Sequence, residues 1–260
     1  MDEGRDTVDA HPDHTLQGIG DRGIIDASDA LYAVKYLVFD KKLLTMSELM
    51  DALDTDFAGE RGEEIRLMCL AAPKFGNAIE GPDLMARRVS EDSAAIIKSY
   101  DNSPFPPIMI AREGLAWHYF GGLGVGALPS GRKALEPLCD GSVSPMRGAD
   151  KEGPTAVISS VLSAGFKDSY AHVLNQKFNA SLLRDAEGID KLVAYTNAFM
   201  AAGGTHIQYN ILDTEDLKDA KALPEEHSDL IVRIGGFSAY FVQLSSEIQD
   251  DVICRSEFEL

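Results

Sequence analysis

The chain has 260 residues, of which 42 are acidic and 24 basic, so its formal net charge is −18. This length, with a hydrophobic content of 45%, predicts a globular protein with a sizeable core. The acidic charge argues against nucleic acid or an anionic membrane surface as a partner, because both attract clustered Lys and Arg.

Targeting and metal signals are also lacking in the sequence. No run of about 18 apolar residues predicts a transmembrane helix, and the acidic N-terminus has no apolar core typical of a signal peptide. Cys69, Cys139 and Cys254 lie far apart and indicate neither a disulfide framework nor a zinc site. We therefore expect a reducing, cytoplasmic compartment and no bound metal.

The first hundred residues predict helices after an irregular lead-in over residues 1–15. Apolar spacing indicates a helix over 25–39, with Asp26 or Ser28 as its cap. Thr45 stands three residues before Glu48, the arrangement of a capping box. Two further helices are predicted over 63–72, where Pro73 ends the helix, and over 83–100.

From residue 102 the pattern changes to short apolar runs separated by turns. SPFPPIM has too many prolines for a helix, and GLAWHYF predicts an aromatic strand that leads into glycines and a PSGR turn. The apolar runs TAVISSVL, HVLNQKF, THIQYNIL and LIVRIGGFSAYFVQL follow, with helices over 189–201, 214–222 and 245–255. Alternating strands and helices predict an α/β fold.

Familiar catalytic motifs are missing from these runs. GGLGVG at 121–126 has the glycine spacing of a nucleotide loop, but a proline and another turn follow it instead of a helix. The sequence contains no G-x-S-x-G, H-E-x-x-H, Walker lysine or C-x-x-C. The glycine run therefore indicates a tightly turning loop.

A different segment near the C-terminus points to a family. Arg233-Ile234-Gly235-Gly236-Phe237 follows a hydrophobic strand, and its two glycines alone would indicate a bulge or tight bend. Together with the SAYFVQL run and the helix EIQDDVICRSE, however, RIGGF resembles the C-terminal signature of glycyl radical enzymes. Gly236 corresponds to the glycine that carries the radical in that family.

The resemblance extends over residues 16–257. IRLMCLAAPKFGN, ALPSGRKALEPLCDGSVSPMRGADKEGPTAV and GGTHIQYNILD are similar to successive segments of these enzymes. The family fold is an α/β barrel built from two half-barrels with surrounding helices. The resemblance implies the second half: helices and barrel wall over 16–135, then a glycine radical domain with its radical loop over 136–260.

The chemistry implied by the resemblance explains why glycine is needed. An unpaired electron on Cα is stabilised by delocalisation onto the flanking amide nitrogen and carbonyl, which requires a planar Cα that a side chain would crowd. The site must be dry, because dioxygen reacts with the radical and cleaves the chain. We expect Phe237 to shield Gly236, and Arg233 either to hold loop carbonyls or to be a solvated or ion-paired side chain.

The chain also departs from the family pattern. Family members are much longer, and their thiyl-forming cysteine lies in the first half-barrel, upstream of every segment matched here. Cys69, Cys139 and Cys254 do not occupy that position and are better explained as small buried or semi-buried residues. We therefore expect a split enzyme whose partner chain supplies the first half-barrel and the cysteine. The alternatives are a truncated fragment and a non-catalytic or repair protein that complements a damaged enzyme.

Other expectations follow from the same resemblance. A radical-SAM iron–sulfur activase would install the radical, and no cofactor would be bound by this chain itself. A partner chain or a dimer would cover the apolar face left by the missing half-barrel. The small-molecule substrate is expected to undergo dehydration, decarboxylation or addition to fumarate more readily than the pyruvate formate-lyase reaction.

Residues for a substrate pocket can be suggested only from the strand patterns. In the predicted aromatic strand, Trp117 and Tyr119 alternate with His118 across the two faces. His118 is either a pocket proton donor or a structurally satisfied histidine. Gln208 and Asn210 share one face of the THIQYN strand and either line the same cavity or serve a structural role.

Overall fold

The computed structural model describes residues 17–100, 107–112, 116–141, 143–166 and 169–258. The predicted lead-in over 1–15 and most of the proline-rich segment lie outside these residues. Within them no helix combines the length and the apolar content that crossing a membrane would require.

The predicted N-terminal helices are present, with different boundaries. They are α1 (Ile24–Val34), α2 (Met46–Asp54), α3 (Gly62–Ala71) and α4 (Glu80–Lys98), and α1 continues as a π-helical turn over Lys35–Asp40. The prediction that Asp26 or Ser28 caps α1 is wrong, because both side chains are buried within the helix and Gly23 precedes it. Asp26 instead accepts the backbone N–H of Cys139, at 3.0 Å to Oδ2.

The capping box of α2 is confirmed. Thr45 Oγ1 accepts the N–H of Glu48 at 3.2 Å, and the Glu48 carboxylate accepts the N–H of Thr45 at 2.8 Å. These bonds satisfy two donors that the first turn of a helix leaves free.

Two segments that the sequence predicted as extended are helices, α5 (Trp117–Gly122) and α6 (Pro154–Ser163). In α5 the buried positions His118 and Gly122 are four residues apart, the spacing of one helical face. A Cβ on Gly122 would lie 2.2 Å from the carbonyl oxygen of Glu136, so the close approach of these segments requires glycine. In α6, Pro154 occupies the first turn, where its missing N–H costs nothing.

The strands form two parallel sheets and one hairpin. The first sheet has the order β1 (Gln17–Ile19), β2 (Ile108–Arg112), β3 (Ser169–His172), and the second has the order β5 (Ile207–Ile211), β4 (Leu174–Phe178), β8 (Glu257–Phe258). The hairpin pairs β6 (Ile231–Arg233) with β7 (Ser238–Tyr240). The remaining helices are α7 (Ala186–Ala201), α8 (Thr214–Ala222) and α9 (Ser246–Ile253), so the α/β fold class is confirmed.

Three clusters of buried side chains hold these elements together. The largest surrounds β4 and includes Phe178 and Phe199, and a second joins α1, α2 and α3. The third packs the hairpin between α8 and α9, and consists of Leu217, Ala220, Val232, Ile234, Phe241 and Val252. Burial of these residues fixes the position of the RIGGF segment.

Candidate functional site

The RIGGF segment forms the turn of the β6–β7 hairpin. The N–H of Ile234 donates to the carbonyl oxygen of Phe237 at 3.0 Å, so the two glycines occupy the tip. Gly236 has φ 94°, in the left-handed region that other residues rarely adopt. The turn therefore requires glycine at this position for a conformational reason, independent of any chemistry.

Side-chain amides on β5 attach one side of this loop to the sheet. Asn210 Oδ1 accepts the N–H of Arg233 at 2.7 Å, and Asn210 Nδ2 donates to the Arg233 carbonyl at 2.9 Å. Gln208 Oε1 accepts the N–H of Gly236 at 3.2 Å. Gln208 and Asn210, proposed from the sequence to line a pocket, thus hold the loop.

A third amide attaches the loop from β4. Asn175 Nδ2 donates to Asp140 Oδ2 at 2.6 Å and lies 3.4 Å from the carbonyl oxygen of Ile234. The side chain of Ile234 is fully buried in the third cluster. Together these contacts fix the orientation of the loop relative to β4 and β5.

The opposite side of the loop is exposed. Gly236 is exposed, and the side chains of Ile231, Phe237 and Tyr240 are 53%, 41% and 45% exposed. The expectation that Phe237 shields Gly236 is therefore not met within this chain. Within the hairpin, Val232 and Ile234 are buried against α8 and α9, whereas Gly236 and Phe237 in its turn are exposed.

The structure gives the guanidinium of Arg233 a side-chain partner, where the sequence left open either loop carbonyls or a solvated or ion-paired side chain. Its Nη1 donates to the hydroxyl of Ser238 at 3.0 Å, across the hairpin, in an exposed position. The expected hydrogen bonds to loop carbonyls are instead made by Asn175 and Asn210. The main chain of Arg233, rather than its side chain, anchors the loop to β5.

The aromatic residues proposed for a pocket lie together on α5. Trp117 is 53% exposed, whereas His118 is 5% exposed. Tyr119 lines a cavity of about 500 Å³ that also borders Arg132, Arg147 and Cys139. The strand-based alternation of these three residues is wrong, because α5 turns them to three directions of a helix.

His118 belongs to a buried cluster of charges. Its Nε2 lies 3.0 Å from Asp251 Oδ2, and its Nδ1 lies 3.3 Å from Asp140 Oδ1. Burial alone would lower the pKa of His118, but the charges of Asp140 and Asp251 raise it. The buried imidazole therefore lies between two carboxylates, with a hydrogen bond at Nε2 and an ion-pair contact without a hydrogen bond at Nδ1.

Two arginines complete this cluster. Arg255 Nη2 lies 2.9 Å from Asp140 Oδ2, and Arg147 Nη1 donates to Asp251 Oδ1 at 3.0 Å. Burial alone would raise the pKa of the Asp251 carboxyl, but the hydrogen bond from His118 and the charge of Arg255 hold it well below its usual range. Since Asp140 also bonds Asn175, the charge cluster is linked to the RIGGF segment through one amide.

Cys139 and Cys254 border the same cavity of about 500 Å³, whereas Cys69 lies in α3. Cys69 is buried in α3, and burial raises the pKa of its thiol to about 11. Cys139 is also buried, with a thiol pKa well above the usual value for the same reason. Cys254 is exposed at the end of α9, which corrects the expectation that it is semi-buried. Across the described residues, no group of three His, Cys, Asp or Glu is placed to hold a metal ion.

Comparison with known proteins gives these features a family context. A family model described as "Glycine radical" matches residues 139–242, and one described as "Pyruvate formate lyase-like" matches residues 1–108. The first match contains the whole RIGGF hairpin. The two matches together account for most of the chain.

Individual relatives agree with these models. Isethionate sulfite-lyase of Oleidesulfovibrio alaskensis is 38% identical over 234 residues, which cover 89% of this chain and 28% of that enzyme. Trans-4-hydroxy-L-proline dehydratase of Clostridioides difficile is 33% identical over 248 residues, 93% of this chain and 30% of that enzyme. The structure of the B12-independent glycerol dehydratase of Clostridium butyricum matches with a TM-score of 0.88 at 36% identity, over 95% of this chain and 31% of that one.

The chain therefore spans less than a third of the length of these relatives, and its fold corresponds to one part of their barrel. The match is continuous in sequence, includes the RIGGF hairpin and extends to the backbone geometry. On these grounds the chain belongs to the glycyl radical enzyme family.

Proposed function

We propose that this chain is the radical-storing part of an anaerobic glycyl radical enzyme and that Gly236 carries the radical. The observation that carries the proposal is the setting of Gly236. Its backbone is held from one side by Gln208 and the neighbouring amides, while its other side is open to an approaching group. A fixed but accessible Cα is what repeated hydrogen-atom transfer requires.

The chemistry moves one hydrogen atom at a time. An activase of the radical-SAM type removes a hydrogen atom from Cα of Gly236, which leaves the unpaired electron on that carbon. The radical then takes the hydrogen atom of a cysteine S–H, which restores glycine and leaves a thiyl radical. The thiyl radical removes a hydrogen atom from the substrate and starts its conversion.

We place the thiyl cysteine outside these 260 residues, on a partner chain that also supplies the first half-barrel. Three observations support this. The chain spans less than a third of the length of its relatives. Two of its cysteines are buried thiols, and the third lies at the C-terminal end of α9. Gly236 is exposed. The glycine radical domain then comprises residues 136–260, the wall of the barrel comprises 16–135, and the chain is inactive alone.

The reaction falls within the lyase chemistry of the relatives. Their names include a sulfite-lyase and dehydratases, and a decarboxylase is also among them. We therefore propose a small organic substrate that loses water, carbon dioxide or another leaving group next to the carbon radical.

Electron paramagnetic resonance after anaerobic co-production with an activase and the complementary half tests the storage role. The wild-type chain should give a doublet from the remaining α-hydrogen, and growth on α-deuterated glycine should collapse it to a singlet. Gly236→Ala should abolish the signal. Gly203→Ala is the matched control, because Gly203 has φ 100° and open space around it, so the backbone strain is similar.

The outcomes separate the proposed function from its alternative. A doublet that persists in Gly236→Ala would exclude this glycine as the radical site. If the wild-type chain gives the doublet only when mixed with a full-length enzyme whose own radical loop is cleaved, the repair role is favoured over the split enzyme.

A further inference from the structure

We propose that Gln208 is a positioning residue that tunes the electronic state of Gly236, with the other end of its amide in contact with His206. The inference rests on the proposed function and deepens it. Its basis is the hydrogen bond from the Gly236 N–H to Gln208 Oε1, at 3.2 Å, and the contact of Gln208 Nε2 with His206 Nε2, at 3.0 Å.

The position of Gln208 is fixed by β5. Its side chain is 4% exposed and lies two residues from Asn210, on the same face of the strand. Asn210 makes two hydrogen bonds to Arg233, so the hairpin is already attached to β5 without Gln208. The hydrogen bond to Gln208 therefore adds one further contact to the loop, at the amide nitrogen of Gly236.

The fixed N–H donor of Gly236 determines which end of the Gln208 amide faces it, and His206 then accepts from the other end. A glutamine NH₂ group can only donate, so His206 Nε2 must accept and the proton of the imidazole must be on Nδ1. In this orientation the oxygen of Gln208 is directed to the N–H of Gly236. The reversed amide would place two donors against each other.

The consequence for the radical follows from its delocalisation. The lone pair of the amide nitrogen donates into the half-filled orbital on Cα, and the carbonyl withdraws from it. An acceptor on the N–H increases the electron density of that nitrogen and strengthens this donation. Removal of the acceptor should move spin density back to Cα, which widens the splitting from the α-hydrogen and shortens the lifetime of the radical.

A set of matched variants separates the acceptor from the packing of the side chain. Gln208→Leu removes the acceptor, Gln208→Asn withdraws the amide by one methylene, and Gln208→Glu retains an acceptor. Gln176→Leu is the control, since Gln176 is buried on the neighbouring strand β4 and accepts from the hydroxyl of Tyr195 instead.

The first measurement uses the chain without a radical. Amide hydrogen exchange of Gly236, followed by NMR, should be slow in the wild type, in Gln208→Glu and in Gln176→Leu. Loss of one hydrogen bond should accelerate it by about fivefold in Gln208→Leu and Gln208→Asn. An unprotected Gly236 amide in the wild type would overturn the inference, whether or not any variant folds.

The second measurement is the resonance spectrum after activation. We expect a wider doublet and faster decay in Gln208→Leu and Gln208→Asn, and wild-type behaviour in Gln208→Glu and Gln176→Leu. A doublet identical in all five chains contradicts the role of Gln208 and leaves the storage of the radical standing. A protected amide with no doublet in any chain counts against the proposed function instead.

Discussion

Nε2 of His118 lies 3.0 Å from Oδ2 of Asp251, and this buried contact joins α5 to α9 across 133 residues of sequence. Asp251 is fully buried and also accepts from Arg147 and Arg255. The contact therefore joins α9 to α5. Because α9 also packs against the hairpin in the third cluster, it links the hairpin to the preceding part of the chain.

Asp251→Asn should strongly destabilise the protein. The exchange removes the negative charge that compensates the surrounding cations, and breaking one side of a buried ion pair lowers the free energy of unfolding by about 3–5 kcal/mol. Asp250→Asn is the control, because its side chain is 59% exposed and its ion pair with Lys221 contributes at most about 1 kcal/mol. Urea denaturation measures both, and equal losses in the two variants would contradict the account.

Asp29→Asn should change how stability depends on pH. Burial raises the pKa of Asp29 from 3.8 to about 7. Because the folded state binds this proton more tightly than the unfolded chain, the associated stability is present below pH 3.8 and is lost as the pH rises through about 7. This shift corresponds to about 4 kcal/mol.

Comparison of the Asp29→Asn variant with the wild type isolates the contribution of Asp29 protonation to stability. The asparagine side chain retains an acceptor for the N–H of Phe75 and cannot ionise, so Asp29→Asn should gain stability relative to the wild type between pH 4 and 8. Thermal unfolding across this range measures the difference. The stability of the control Asp54→Asn, at an exposed position, should follow that of the wild type across this pH range. If the difference in stability between Asp29→Asn and the wild type does not change with pH, Asp29 is ionised throughout.

Asn210→Ala should loosen the hairpin without disturbing the main core. It removes both hydrogen bonds to Arg233, which we expect to cost about 1–3 kcal/mol and to accelerate amide exchange at Arg233. Tyr209→Phe is the control on the opposite face of β5, where the lost bond is to Thr196. If both variants accelerate exchange at Arg233 equally, the attachment does not depend on Asn210.

Thiol labelling should distinguish the cysteines. In the native chain only Cys254 is exposed, so one equivalent of a maleimide should react rapidly and Cys254→Ser should abolish that reaction. Cys69 and Cys139 are buried, and burial raises the pKa of both thiols, so they should react only after unfolding. Rapid native labelling at Cys139 would show that the cavity beside it admits the reagent.

Local signals in the sequence predicted some elements well. The capping box located the start of α2, and the predicted helix over 214–222 coincides with α8. The aromatic residues of α5 and the β-branched residues of α6 favoured strands, but both segments are helices, and α5 also makes a close approach to another segment. In α5 that approach involves Gly122 and Glu136, which no local pattern reveals.

The site was located from the sequence, but its supports were only partly assigned. The double glycine identified the turn, and the alternation on β5 correctly placed Gln208 and Asn210 on one face. Their partners could not be inferred, because the hairpin approaches β5 through tertiary packing after an intervening helix. Asn175, Asp140 and Asp251 had no sequence signal, since the Asn175–Asp140 and Asp251–His118 contacts join residues at least 35 positions apart.

The spacing of Gln208 and Asn210 has a consequence for how the chain tolerates insertions. Residues 212–230 connect β5 to the hairpin through α8, and an added residue in the exposed turn at 223–229 would leave both amides in place. One residue added inside β5 between them would turn one amide to the opposite face and separate Arg233 or Gly236 from its partner. We therefore expect insertions to be tolerated in the turn at 223–229 and not to be tolerated within residues 208–210.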